Sequence, residues 1–249
     1  MNRIKISPLV SDTLSVPGHS SLATADEVSS PEIARTRAGN FSIFVPMHYE
    51  KNYAYPLIVW LHDQSQSSEQ LQQVMLHMSL RNFTGIAPQS PVVSPSSRAW
   101  EQDFETIDAA YDAVLDCIDE ASLRFKIASQ RIFLAGMGRG GTMAFRLAFE
   151  SPERFAGVLS INGPIPDQTP LRDWSRCREM PVFWAHSRES EDFLQDDLCQ
   201  QLKLLHVAGF CVTLRQYPQS DLLCPTTMSD MNHWVMETIS TSISDRQTK

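Results

Sequence analysis

The chain has 249 residues, 42% of them hydrophobic, which suits one large α/β core. A formal charge of −8 argues against nucleic acid or an anionic membrane as the main partner, because phosphate recognition needs a surplus of lysine and arginine. Five scattered cysteines (Cys117, Cys177, Cys199, Cys211, Cys224) are odd in number and show no C-x-x-C spacing, so the pattern indicates neither a disulfide framework nor a zinc site and fits a reducing compartment.

The amino terminus lacks the apolar run of a signal peptide, and no segment approaches the roughly 18 apolar residues of a membrane span. A cytoplasmic location is therefore expected. Residues 1–40, rich in Ser, Thr, Pro and Ala, read as an irregular or partly disordered lead-in, with a single domain over residues 41–249.

From Phe41 the texture changes. FSIFVP alternates, PLIVWLH is a continuous apolar run and TGIAPQ is a shorter one, three strands of which the second is buried on both faces. Between them Leu71, Val74, Met75 and Met78 recur at helical spacing, with Ser67 or Ser68 as N-cap. A polar, proline-rich stretch, SPVVSPSSRAW, leads to a long helix whose apolar stripe is Phe104, Ile107, Tyr111, Val114, Ile118 and Phe125. The acidic residues between Glu101 and Glu120 form its solvated face.

Next comes RIFLAGMGRGGTMAFRLAF, a strand, a glycine-dense turn and a helix. Strands GVLSIN, PVFWAH and CVTLRQY follow, with a helix from about Asp192 to Val207 ending at Gly209 and a closing helix from about Thr226 to Ile239. Strands alternating with helices in this way predict one α/β domain around a mostly parallel sheet.

The turn Gly136-Met137-Gly138-Arg139-Gly140-Gly141 fits two motifs. As G-x-G-x-x-G it would cradle a dinucleotide; as G-x-S-x-G with glycine in place of serine it would be a nucleophile elbow without its nucleophile. A dinucleotide fingerprint belongs at the first strand-to-helix turn, with an acid ending the next strand. Here at least three strands precede the turn, the following strand ends at Asn162, and the nearest carboxylate is Asp167. A nucleotide-binding oxidoreductase is thus the weakest of the readings.

LIVWLHDQSQS, RIFLAGMGRGGTMAFRLAFESPERFAGVLSINGPIP, MPVFWAHSRESED and VTLRQYPQSD, in this order, resemble the phospholipase/carboxylesterase branch of the α/β-hydrolase fold, including its feruloyl-esterase and polyhydroxybutyrate-depolymerase-like members. In that family the patterns run strand-H-G, strand-G-x-S-x-G-G, strand-H-G-x-x-D and strand-Y-x-x-x-H. The resemblance implies a single-domain α/β-hydrolase with helices on both faces of the sheet. It places Gly138 in the nucleophile slot, Ser190 in the acid slot, with Glu189 and Glu191 on either side, and Asp221 in the base slot. His62 takes the place of the histidine next to the oxyanion hole, and Trp100 that of a cleft-lining aromatic. His233 lies twelve residues beyond the base slot, at an ordinary helix position, and His186 ends a strand as a structural residue.

Triad residues act as a unit, so a site without them retains only the roughly 10³ to 10⁴-fold acceleration that binding and the oxyanion hole supply. The leading expectation is a catalytically impaired esterase homologue, a pseudoenzyme, with a small-molecule or anionic ligand in the former active-site pocket. No cofactor or metal is expected. An active ester or thioester hydrolase with rearranged residues is the alternative, with Cys224 or Ser65 as nucleophile, although neither has a histidine at a recognisable spacing. The amides after Gly138 and the Arg139 cation call for negative charge, from Asp63, Asp221 or a bound anion in the former oxyanion hole.

Overall fold

The computed structural model describes residues 41–64, 66–94, 97–166 and 174–247. Residues 1–40, Ser65 and Asp167, on which expectations fall, lie outside the described residues.

Seven strands form one sheet: β1 (Phe41–Phe44), β2 (Tyr55–Leu61), β3 (Thr84–Pro88), β6 (Ile127–Met137), β7 (Gly157–Ile161), β8 (Pro181–Ser187) and β9 (Cys211–Tyr217), the remaining two, β4 (Val92–Ser94) and β5 (Ser97–Arg98), making a separate antiparallel pair. The order is β1-β3-β2-β6-β7-β8-β9, parallel throughout except for β1 against β3. Among the described residues five α-helices complete the fold: α1 (Gln70–Met78), α2 (Phe104–Arg124), α3 (Arg139–Glu150), α4 (Gln195–Ala208) and α5 (Pro225–Gln247).

The pleat sorts the core into two layers. Leu57, Val59 and Leu61 of β2, with Leu134, Val158 and Trp184, pack with α2, α3 and α4. Their alternates Ile58 and Trp60, with Phe133, Leu159 and Phe183, pack with α1 and α5. Successive strand side chains point to opposite faces, so a strand covered on both sides must be apolar at every position, as YPLIVWL is. Helix α3 is enclosed almost as fully: every residue from Gly140 to Phe149 is buried.

Several local expectations are corrected. Neither Ser67 nor Ser68 caps α1; Glu69 occupies the N-cap position and makes no side-chain capping bond to the helix, and Ser67 Oγ accepts from the Glu69 amide at 3.3 Å. Phe104 is 83% exposed, because the first turn of α2 overhangs the packed layer. The buried stripe is Ile107, Ala110, Val114, Cys117 and Ala121, small residues that let the helix sit close, with Tyr111, Ile118 and Phe125 flanking it. The proline-rich stretch contains the short β4–β5 pair, and α5 runs to Gln247, well beyond Ile239. Among the described residues no helix is long and apolar enough to cross a membrane.

Strands β2, β6, β7 and β8 run parallel and finish at a common edge, Leu61 beside Gly136 and Met137 beside Ile161. The loops leaving that edge converge on the turn at Gly138, where α/β sheets place their sites.

Candidate functional site

Strand β6 ends at Met137 and α3 begins at Arg139, leaving Gly138 alone to turn the chain. Its φ of 52° and ψ of −120° lie where a side chain is strained, which glycine avoids. The turn is held from both sides: the Gly138 amide donates to Ile161 O at 2.8 Å, and the Thr142 amide donates to Gly138 O at 3.0 Å. Gly140 is required by proximity, since a Cβ there would collide with the carbonyl oxygens of Leu61 and His62. This is the strand-turn-helix geometry of a nucleophile elbow.

The neighbouring loop leaves β2 through His62, which is fully buried. The Ser90 amide donates to His62 Nε2 at 3.1 Å, so Nε2 is the acceptor and Nδ1–H donates to Asp63 O at 2.8 Å. Gln89 Nε2 adds a second contact to His62 Nε2 at 2.9 Å, and Trp100 Nε1–H donates to His62 O at 2.9 Å. Trp100 is 1% exposed, so it braces this loop from the core, a correction to the expected cleft-lining position: its indole N–H finds its partner inward.

That bracing aims Asp63 at the elbow. Its Oδ1 accepts from the Gln64 amide at 2.7 Å and from the Arg139 amide at 3.2 Å. A Cβ built on Gly138 would overlap Oδ1 and lie 2.5 Å from Asp63 Cγ and 2.7 Å from Oδ2. The carboxylate therefore fills the space that a side chain at position 138 would take. One donor amide follows Gly138, where the resemblance expects the nucleophile, and the other comes from the loop after β2; an elbow enzyme draws its oxyanion-hole donors from the residue after its nucleophile and from a neighbouring strand-to-helix loop. A fixed negative charge already receives both, through charge-assisted hydrogen bonds. The same carboxylate would repel a pyrophosphate, which disfavours the dinucleotide reading of the turn.

The other slots lie in ordinary turns. Ser190 Oγ accepts from the Phe193 amide at 3.3 Å, while its own amide donates to Ser187 O. Asp221 is exposed, and its Oδ1 accepts from the Leu223 amide at 3.0 Å in the turn entering α5. His233 is exposed and faces Glu237 along α5, as an ordinary helix position would. His186 is buried and its Nε2–H donates to Phe193 O at 2.9 Å. The Arg139 guanidinium pairs with Glu101 at 2.6 Å, not with Asp63 or Asp221. Asp63 meets the backbone of Arg139 instead, and Asp221 is taken up by its own turn.

Cys224 precedes α5, half-buried, 3.4 Å from Gln219 Nε2 and 3.6 Å from Thr227 Oγ1. Burial pushes its thiol up, but hydrogen bonds from Thr227, Gln219 and Thr226 outweigh that and hold it below its usual range. No imidazole is among these contacts.

Beside the elbow opens a cleft of about 780 Å³, bounded by Thr142 one turn into α3, by Pro164 and Ile165 after β7, and by Phe193, Asp197 and Gln201 at α4. Gln201 Oε1 accepts from the Ile165 amide at 2.8 Å and ties two of its walls together. The sequence reading missed this cleft, the part played by the Gln64 amide, and Glu101. The one signal available for the closed hole was a pair of exchanges, Asp63 where the resemblance expects glycine and Gly138 where it expects serine.

Residues 91–239 match the family described as phospholipase/carboxylesterase. Over 117 residues the chain is 27% identical to NocK of Nocardia uniformis subsp. tsuyamanensis, a protein with a provisional esterase name; the match covers 45% of this chain and 33% of that one, so the chain spans a third of that relative's length. Among solved structures, a Bacillus cereus carboxylesterase superposes with a TM-score of 0.65 at 14% identity, covering 80% of this chain and 93% of the other. Zea mays acyl-protein thioesterase 2 gives 0.61 at 16% identity over 80% and 99%, and Arabidopsis thaliana SOBER1 gives 0.61 at 18% over 75% and 100%. At these identities the superpositions establish the α/β-hydrolase fold.

Proposed function

Because this chain belongs to the phospholipase/carboxylesterase family, we propose that it is a carboxylesterase-like hydrolase homologue that no longer hydrolyses esters and uses the inherited cleft to bind a small molecule. The observation that carries this reading is the exchange at the elbow: position 138 has no side chain, and the Asp63 carboxylate stands in its place on the two amides. An ester carbonyl entering the site meets neither a hydroxyl to attack it nor free donors to stabilise the tetrahedral oxyanion. Removing one such donor costs about 10²- to 10³-fold in kcat in an active enzyme. Here both are engaged and the triad slots are empty of the required groups, so their effects compound on a single step.

The internal carboxylate also selects against an anionic ligand at the elbow itself. A neutral compound, held in the adjoining cleft by apolar walls and by the amide of Gln201, fits better. A cytoplasmic location, suggested by the five free cysteines, belongs to the same proposal.

An active hydrolase built on other residues has one observation in its favour, the lowered Cys224 thiol. Both readings meet the same test: labelling with a fluorophosphonate and with a thiol-directed probe, alongside turnover of a chromogenic short-chain ester. The proposal expects no fluorophosphonate adduct and no turnover, with any thiol labelling inconsequential. Stoichiometric serine labelling with turnover, or turnover abolished by alkylating Cys224, would overturn it.

A further inference from the structure

At the opposite end of the sheet a smaller, half-open cavity of about 250 Å³ is lined by the loop into β2, the start of β2, the turn before β3, the first half of β6 and α5, with Glu50, Tyr53 and Arg81 exposed at its rim. Tyr55 opens β2 and pairs with Ile127 at the start of β6, whereas Asp63 lies past the far end of β2. Six steps of about 3.3 Å put the two ends roughly 20 Å apart, so this cavity is separate from the elbow and independent of what the elbow does.

Its charges are unbalanced. Arg81 and Arg131 both line it, with Glu50 as the carboxylate among its walls. Among the described residues, neither guanidinium nor the Glu50 carboxylate has a hydrogen-bond or ion-pair partner. In a chain carrying a net −8, two cations thus share one small cavity with a single carboxylate, leaving one positive charge uncompensated. Elsewhere on the described surface the Arg124, Arg139 and Arg176 side chains each pair with a glutamate.

The walls are partly aromatic. Tyr55 is buried and its hydroxyl accepts from the Glu50 amide at 3.2 Å; Tyr53, half-exposed, packs edge-on against it at 4.7 Å, and Tyr49 stacks on its other side at 5.2 Å. Asn82 is fixed to α5 through Asn232 at 3.1 Å, and Met236 and Ile239 of that helix supply an apolar floor. A preformed cavity with convergent polar groups and an apolar body is the usual form of a small-ligand site.

From this juxtaposition we infer that the cavity binds a small monocarboxylate with an aromatic or apolar body, its carboxylate received by Arg81 and Arg131 and its ring set against Tyr53. The guanidinium fork matches a carboxylate in shape and charge. A single negative charge neutralises the cavity, while a dianion would face Glu50.

The test is calorimetric titration of the full chain with phenylacetate, with phenylacetamide as its neutral counterpart and phenyl phosphate as a dianion. Phenylacetate binds, phenylacetamide binds at least about tenfold more weakly, and Arg81→Gln and Arg131→Gln each weaken phenylacetate roughly tenfold, the loss expected for one charge-assisted contact. Glu50→Gln improves phenyl phosphate relative to phenylacetate. Circular-dichroism melts verify that each variant is folded. Absence of phenylacetate binding to the unsubstituted chain at millimolar concentration, equal binding of acid and amide, or unchanged affinity in a cooperatively melting Arg81→Gln/Arg131→Gln variant would each overturn the assignment.

Discussion

At the carboxyl edge of the sheet, the backbone amides of Gln64 and Arg139 both donate to the Asp63 carboxylate, whereas at the amino edge Arg81 and Arg131 line a cavity with Glu50 as the carboxylate among its walls. The first is a receptor of amides fixed by the fold, filled by a side chain two residues past a strand. The second is a receptor of side chains with its charge unmet. A donor pair made of backbone survives any substitution that keeps the fold, so its function is lost only when something else fills it. A receptor made of arginines is as easily gained as removed by single substitutions.

Substitutions can break this contrast at either end. The largest effect is expected from Gly140→Ala, whose Cβ would meet the Leu61 and His62 carbonyls, backbone that cannot step aside. Denaturant unfolding should show a loss of about 3–5 kcal/mol or no folded protein. Asp63→Ala should cost about 1–3 kcal/mol, for two charge-assisted contacts at a half-exposed group. In exchange it frees both amides, so acetate should raise the melting temperature of this variant more than that of the unsubstituted chain. Equal acetate responses would mean that the carboxylate was not what closed the hole. At the other edge, Arg131→Gln should leave stability within about 0.5 kcal/mol, because no internal partner is lost.

The smallest effect serves as a control for a carboxylate that binds amides with no site to fill. Asp103 caps α2, and hydrogen bonds from the Thr106 amide and hydroxyl hold its carboxyl below the ordinary aspartate range. A depressed folded value means its contribution is present above the ordinary aspartate range and is lost as pH falls through the folded value. The melting-temperature gap between the unsubstituted chain and Asp103→Ala should therefore be small at neutral pH and close in strong acid.

Much of this contrast was legible in advance at one end and hidden at the other. The unbroken apolar run from Leu57 to Leu61 and the glycines at 136, 138 and 140 identified a buried parallel strand and an elbow, because period and backbone proximity are local properties. Vacancy at Gly138 was equally plain. What filled it was not, since Asp63 and Asp221 were equal candidates on charge and only the bracing of the loop by His62 and Trp100 separates them. Arg139 found Glu101, 38 positions earlier, through a contact that no spacing rule anticipates. Phe104 obeyed the helical period yet lies outside the core, because periodicity does not say where a helix overhangs its layer. The Arg81–Arg131 cavity joins segments 50 positions apart and left no pattern to read.

Asp63 and Gly138 act as one device, and a double-mutant cycle measures their coupling directly. Gly138→Ala introduces a Cβ into the carboxylate; Asp63→Gly removes the carboxylate. Unfolding free energies of the four proteins should show that Gly138→Ala is less damaging in the Asp63→Gly background, with a coupling of about 1–3 kcal/mol. The residual cost in that background is the strain of a side chain at φ 52°. Additive costs in the two backgrounds would contradict the claim that the aspartate occupies the place of the missing nucleophile.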